Sequence, residues 1–367
     1  MIQALSTISI TRGLDVMAST LRATGVFPGF PLSVFLIAAV LSGAGSQALA
    51  ASSEKEKLLE GAKKEGQLVI YTGMDAEEAN VFAREFEKKY PSIKTDLFRA
   101  SGEKVLTKLL TEYRAKTFRA DIFQVSVIQT IQFKNEGFLQ KYVSPESNFY
   151  PDSFKDPEGY WNSFYLLPYA ITYNTNAVSP GEAPKSYEDL LNPKWKGKIG
   201  LEVEQYQWFF HLLKIMGKEK GTAFMGRLAE QNLDLRAGHS LILQLVVAGE
   251  IPISVVLYAN QVEFFKRTKR APIEWVRFKG PTITAINAIS IPARAPHPNA
   301  AKLFVDFGLS REGQEILGKF NRVPARPDVP PDPPNLVEGL TLYPARPEEL
   351  VKNYDETVAL FKKTFGR

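Results

Sequence analysis

Gln67-Leu68-Val69-Ile70-Tyr71-Thr72-Gly73 reads as a buried strand that runs into a glycine-containing loop, and the residues after it change period. Between positions 75 and 89, Ala79, Phe82, Ala83 and Phe86 recur at helical spacing, and Pro91 ends the run. A strand followed by an amphipathic helix is the repeating unit of an α/β fold. Upstream, residues 54–64 open a polar helix. Downstream, 93–98 is a short strand, and Ser101 stands as N-cap to a helix carrying Val105, Leu106, Leu109 and Leu110. Residues 120–126 form another apolar strand, followed by a helix through Phe133.

Residues 166–174 are extended and aromatic, and a proline-rich stretch occupies 180–193. A second alternating set begins with a strand at 198–203. Helices at 206–216, 222–232 and around 240–249 follow, and a strand at 251–257 completes the set. Residues 283–292 are extended again, 298–309 and 312–320 are helical, and a proline loop at 324–334 precedes an amphipathic helix over 347–365. The expected architecture is two α/β lobes joined by two extended crossings, with lobe one built from 51–170 and 285–367 and lobe two from 171–284.

The first fifty residues do not fit this scheme. Arg12 and Arg22 lead into the uncharged run Leu32-Ser33-Val34-Phe35-Leu36-Ile37-Ala38-Ala39-Val40-Leu41, and small residues follow to Ala48-Leu49-Ala50. A basic segment, a short apolar segment and an A-x-A site are the parts of a secretory signal peptide. The run is shorter than the roughly 20 apolar residues a membrane span needs, so cleavage after Ala50 is expected rather than anchoring. Met17 is an alternative start. The chain has no cysteine, so an exported form is stabilised by core burial and offers no thiol for a lipid anchor. The expected location is the periplasm.

Without Arg12, Arg22 and Asp15, the 45 basic and 40 acidic residues become 43 and 39, a net charge of +4. That dispersed excess does not point to nucleic acid. There is no G-x-S-x-G, H-E-x-x-H, P-loop or cysteine nucleophile, and no G-x-G-x-x-G after a strand. An enzyme is not expected, an exported hydrolase remaining the minor alternative.

Several stretches then resemble, in order, the type II periplasmic solute-binding proteins of ABC importers, in their ferric-iron-binding-protein-like branch. They are Leu68-Val69-Ile70-Tyr71-Thr72-Gly73, Ala120-Asp121-Ile122-Phe123, Tyr173-Asn174-Thr175, Asp189-Leu190-Leu191-Asn192-Pro193-Lys194-Trp195-Lys196-Gly197-Lys198-Ile199, Gly249-Glu250-Ile251-Pro252-Ile253 and Ala295-Pro296-His297-Pro298-Asn299-Ala300-Ala301-Lys302-Leu303-Phe304. The resemblance implies a two-lobed fold with two hinge crossings, here near Tyr169 and Ala285. It also implies a ligand held between the lobes by closure, a membrane permease as partner, no cofactor, and a monomer.

In open α/β lobes a ligand lies off the carboxyl ends of strands, near helix N-termini that favour anions. That rule selects Tyr71, Thr72, Arg99, Ser101 and Ser126 from lobe one, Tyr206, Trp208 and Tyr258 from lobe two, and Tyr169 at the first crossing. Five of them have a plainer reading: Tyr71, Tyr206 and Trp208 as core aromatics, Ser101 as a cap, Arg99 as half of a surface ion pair. Arg99 is the candidate for pairing a carboxylate or phosphate. Ferric-binding members of the branch hold the metal with two adjacent tyrosines shortly after the segment matching Gly249-Glu250-Ile251-Pro252; here Tyr258-Ala259-Asn260 supplies one. Many also carry a histidine after the first strand, where this chain has Met74-Asp75. The expected ligand is therefore a small organic anion, with ferric iron as the alternative and Tyr258 its single ligand. His211, His239 and His297 lack metal-ligand spacing and read as structural.

Overall fold

In the computed structural model, β1 (Gln67–Thr72) is buried along its last three residues and pairs in parallel with β2 (Lys94–Arg99) and β3 (Ile122–Ser126). The structure describes residues 53–367 except Phe278, Arg346 and Arg367, so the leader expected at 1–50 lies outside the described residues. Lys57–Arg367 forms one compact unit. A first helix, α1, ends at residue 65.

The connections between these strands are the helices the sequence requires. The Asp75 carboxylate caps α2 (Ala76–Lys89) by accepting from the Glu77 amide at 3.0 Å. Its apolar stripe packs Phe82 and Phe86 against Phe304 and Phe307 at centroid distances of 5.1–5.8 Å. α3 (Gly102–Arg114) and α4 (Val127–Asn135) follow β2 and β3. After the short β4 (Leu139–Gln140) comes the element on which the architecture turns, β5 (Trp161–Asn174), with every residue buried.

The two ends of β5 belong to different half-sheets. Residues 161–168 pair antiparallel with β10 (Pro281–Pro292), which on its other edge pairs with β3. Residues 169–173 pair instead with β8 (Ile253–Tyr258), and 172–174 with β9 (Ile273–Trp275). The change of partner falls at Pro168, which has no N–H to give a ladder. β8 continues in parallel to β6 (Ile199–Glu202) and β7 (Asp234–Arg236). The strand order is β2-β1-β3-β10-β5-β8-β6-β7. The second half-sheet carries α5 (Tyr206–Met216), α6 (Lys218–Ala229), α7 (His239–Ala248) and α8 (Ala259–Lys269).

Several elements differ from expectation for identifiable reasons. α8 has no clean apolar stripe, because its buried positions include Asn260 and Glu263 beside Ala259 and Val262. Glu263 is buried as an acceptor for Trp275 Nε1 at 2.7 Å and Arg277 Nη2 at 3.1 Å, which no periodicity reveals. α6 ends before Asn232, whose φ of 54° leaves the helical region.

The C-terminal part begins with α9 (Pro298–Leu309), α10 (Arg311–Lys319) and β11 (Val323–Pro324), the last paired with β5. The single helix expected over 347–365 is two, α11 (Pro347–Lys352) and α12 (Tyr354–Phe365). Asn353 between them turns its Nδ2 back to Glu349 O at 2.7 Å. Before them β12 (Thr341–Pro344) runs parallel to β10, a third strand at the crossing. The sequence-based division left the whole tail in lobe one. α11 does pack on α4, whereas α12 lies on α5 and α6, with Phe361 fully buried against Tyr206 and Phe209 at 5.2 and 5.4 Å.

Candidate functional site

The register of β5 sets the dimensions of the cleft. On one side Tyr165 faces Asn287 of β10, which faces Ser126 at the end of β3; on the other Tyr169 faces Tyr258 at the end of β8. Four steps along the strand separate Tyr165 from Tyr169, about 13 Å at 3.3 Å per residue. The parallel strands of the two half-sheets thus end on either side of the point where β5 changes partner.

The first wall is made by the ends of β1, β2 and β3. The Thr72 hydroxyl contacts the Gln124 side chain, whose amide reaches Asn287, tying strand end to crossing. The same hydroxyl accepts from the Met74 amide at 2.9 Å, shaping the loop into α2. Arg99 is exposed and donates Nε to Met74 O at 3.0 Å, leaving the outer edge of its guanidinium towards solvent. Ser101 is the N-cap of α3 yet makes no side-chain cap bond, so hydroxyl and first-turn amides are both available. Ser126 caps α4 by accepting from Ile128 N at 3.4 Å. Tyr71 points to the other face of the sheet, where its hydroxyl donates to Glu112 at 2.9 Å and its ring packs on Phe98. Neighbouring positions on a strand face opposite ways, so Tyr71 and Thr72 cannot serve the same cleft.

The second wall is aromatic and amide-rich. His239, Tyr258 and Tyr169 form a stack with centroid spacings of 4.4 and 5.4 Å and interplanar angles of 24° and 23°. The Tyr169 hydroxyl donates to Gln207 Oε1 at 3.1 Å. Burial raises the phenols of both tyrosines, that of Tyr258 to about 12, so both stay protonated at neutral pH. Buried Glu202 accepts from Gly238 N at 3.1 Å, Glu204 N at 2.7 Å and Gln205 Nε2 at 3.2 Å. Gly238 reaches it at a φ of 95°, a conformation that favours glycine. Tyr206 is half-buried, edge-on to Tyr354 and Phe361. Trp208 is fully buried and donates Nε1 to the Tyr187 hydroxyl at 3.2 Å, a core position. The N-termini of α5, α7 and α8 all lack a side-chain cap bond.

Two residues pack on the tyrosines of the crossing: one, Arg322, has no mark in the sequence, and the other, His239, reads there as structural. Arg322, just before β11, lies over the Tyr165 ring at 4.9 Å and gives Nε and Nη2 to Glu78 Oε2 at 2.9 and 2.8 Å. Burial opposes its charge, but Tyr165 and Glu78 outweigh that and raise its pKa. No local signal marks it, because its partners lie on α2 and β5. His239 is the second: burial lowers its imidazole to about 4. The glycine before it was a visible hint, since Gly238 opens α7 at a strand-end loop. His211 is buried beside Tyr343, and His297 donates its backbone and Nδ1 to Asp121 at 2.7 and 2.8 Å; neither lines the cleft.

Known proteins share this design. The profile of the bacterial extracellular solute-binding protein family matches residues 120–350. A probable ABC transporter periplasmic-binding protein of Sinorhizobium fredii is 24% identical over 276 residues, covering 71% of this chain and 75% of its own. Iron-bound HitA from Pseudomonas aeruginosa superposes with a TM-score of 0.70 at 19% identity, covering 81% of this chain and 99% of its own. The periplasmic binding protein AfuA from Actinobacillus pleuropneumoniae, with exogenous fructose-6-phosphate bound, superposes with a TM-score of 0.70 at 22% identity, covering 82% and 99%. These likenesses show the two-lobed periplasmic-binding fold, and no described helix is long and apolar enough to cross a membrane. The chain belongs to the bacterial extracellular solute-binding proteins, a non-enzymatic transport family that binds small ligands for ABC importers.

Proposed function

We propose that this protein captures a small organic anion in the cleft and carries it to an inner-membrane ABC permease. The observation that supports the anion is the set of helix N-termini opening on the cleft from both walls without side-chain caps: α3 on one side, α5, α7 and α8 on the other. Free first-turn amides and the positive end of the helix dipole favour negative charge, by typically 0.3–1 kcal/mol per helix. Arg99 adds a guanidinium with an open edge. Relatives bind chemically different cargo, iron for HitA and a sugar phosphate for AfuA, so ligand identity follows from the residues of this cleft. Tyr258 is followed by Ala259, and among the described residues no three His, Cys, Asp or Glu side chains converge. These features favour an organic anion over ferric iron.

The binding residues in this reading are Thr72, Arg99, Ser101, Ser126, Tyr169 and Tyr258, with Tyr206 at the edge. Lobe one comprises the elements up to Pro168 together with those from Thr284 through α11. Lobe two comprises the intervening segment and receives α12 from the tail. The protein works as a monomer in the periplasm after cleavage of its leader.

Thermal-shift screening of residues 51–367 in chelator, against phosphate esters, phosphonates and carboxylates with ferric citrate as the contrasting arm, tests the reading. An organic anion is expected to raise Tm with iron absent. A visible phenolate-to-iron band, with no organic anion shifting Tm, would overturn it.

A further inference from the structure

The second wall carries a hydrogen-bond pattern that specifies more than charge. Gln205 Nε2 contacts Glu202 Oε2 at 3.2 Å and His239 Nε2 at 2.8 Å. A primary amide nitrogen has two hydrogens; the carboxylate, which can only accept, takes one, and the imidazole takes the other. His239 Nε2 is therefore an acceptor, and the ring is neutral with its proton on Nδ1. The direction of the chain is fixed from its far end, because both Glu202 oxygens already accept from backbone amides of Gly238 and Glu204. The glutamate holds Gln205, and Gln205 holds the histidine tautomer.

Beside this donor the wall offers two more polar atoms. Gln207 is 7% exposed, and with its oxygen taken by Tyr169 its Nε2 has no partner among the described residues. Gln205 Oε1, on a side chain 5% exposed, is likewise unpartnered. Around the stack, in which Tyr258 is sandwiched between His239 and Tyr169, the wall thus holds two N–H donors and one buried carbonyl acceptor, and the buried carboxylate of Glu202 is already engaged. Phosphate or carboxylate would use donors only, and an ammonium acceptors only. Hydroxyl groups, each both donor and acceptor, use this mixture.

We propose that the second wall reads hydroxyl groups, with His239 Nδ1–H and the amides of Gln205 and Gln207 as specificity determinants, so that the ligand is a polyol bearing one terminal anionic group. This rests on the anion reading above, which assigns the charged end to the first wall.

The test compares fructose 6-phosphate, n-butyl phosphate, inorganic phosphate and fructose by calorimetry on the exported form in chelator. The sugar phosphate is expected to bind at least about tenfold tighter than butyl phosphate. His239→Phe, which replaces one ring by another and removes the Nδ1 donor, should weaken fructose 6-phosphate at least about tenfold more than butyl phosphate. Gln207→Met should reduce the preference independently, which keeps the test decisive if the histidine variant does not fold. Equal affinity of the wild-type protein for both esters, or equal weakening of both by His239→Phe, would overturn the hydroxyl reading with the anion reading intact. No binding of any phosphate, with carboxylates and phosphonates also silent, would remove both.

Discussion

The two walls of the cleft are built alike and stocked differently. Each is a set of parallel strands whose carboxyl ends feed helix N-termini, and both hang on β5. The first wall presents a free arginine edge, an uncapped serine and short polar side chains. The second presents stacked rings and buried amides whose orientation is fixed through Glu202. Strand-end geometry, common to the fold, locates a site; the side chains on top decide its chemistry. The supports also differ. The first wall is backed by α2 and α9, whereas the second needs α12, from the far end of the chain, to cover α5 and α6.

The difference in support is the easiest to break. Phe361→Ala removes a fully buried ring between Tyr206 and Phe209 and should cost about 3–5 kcal/mol. Hydrogen exchange should quicken in α5 and α6 while β1 to β3 stay protected; uniform loosening would show that the walls are not separately supported.

Acidification sharpens the comparison, because the two strongly depressed histidines, His211 and His239, both lie on the second-wall side. Burial lowers each from 6.5 to about 4, so the unfolded chain binds protons first as pH falls. Stability should be complete above pH 6.5 and decline towards pH 4, by about 2 kcal/mol per histidine at pH 5. Denaturation of His211→Leu at pH 5 and 7.5 should show a shallower decline than wild type; an unchanged slope would refute the assignment.

Arg99→Ala tests the first wall alone. It should weaken an organic anion roughly tenfold, the value of a charge-assisted hydrogen bond, with little change in Tm. Calorimetry showing unaltered affinity would take Arg99 out of the site.

The smallest effect concerns a contact outside both walls. The Arg267–Asp332 pair, 3.0 Å apart with side chains about half exposed, joins α8 to the proline loop. Arg267→Ala should change stability by under about 1 kcal/mol in moderate salt. A larger loss in urea titration would mark that loop as a strut of the second wall.

Much of the frame was legible in the residues. The alternation from β1 through α4 follows from periods of two and 3.6, the Asp75 cap and Pro91, all local properties. The positions of Tyr169 at a crossing and Tyr258 at a strand end were legible because they need only the order of elements. α8 was not legible, since its buried glutamate is satisfied by Trp275 and Arg277, partners in later segments. The tail read as one helix because the break at Asn353 is a backbone turn inside a continuous amphipathic pattern.

By itself the sequence determined the α/β class, the helix starts from α2 to α4, the two extended crossings and the strand-end loops, because each depends on residues within a few positions of one another. Only the tertiary structure decided that Tyr71 turns to Glu112, that Arg322 lies over Tyr165 and His239 on Tyr258, and that α12 crosses to cover α5 and α6. Those outcomes depend on contacts between segments tens to hundreds of residues apart, such as Arg322 with Glu78 and His239 with Gln205, and a periodic pattern carries no record of which distant partner will satisfy a given group.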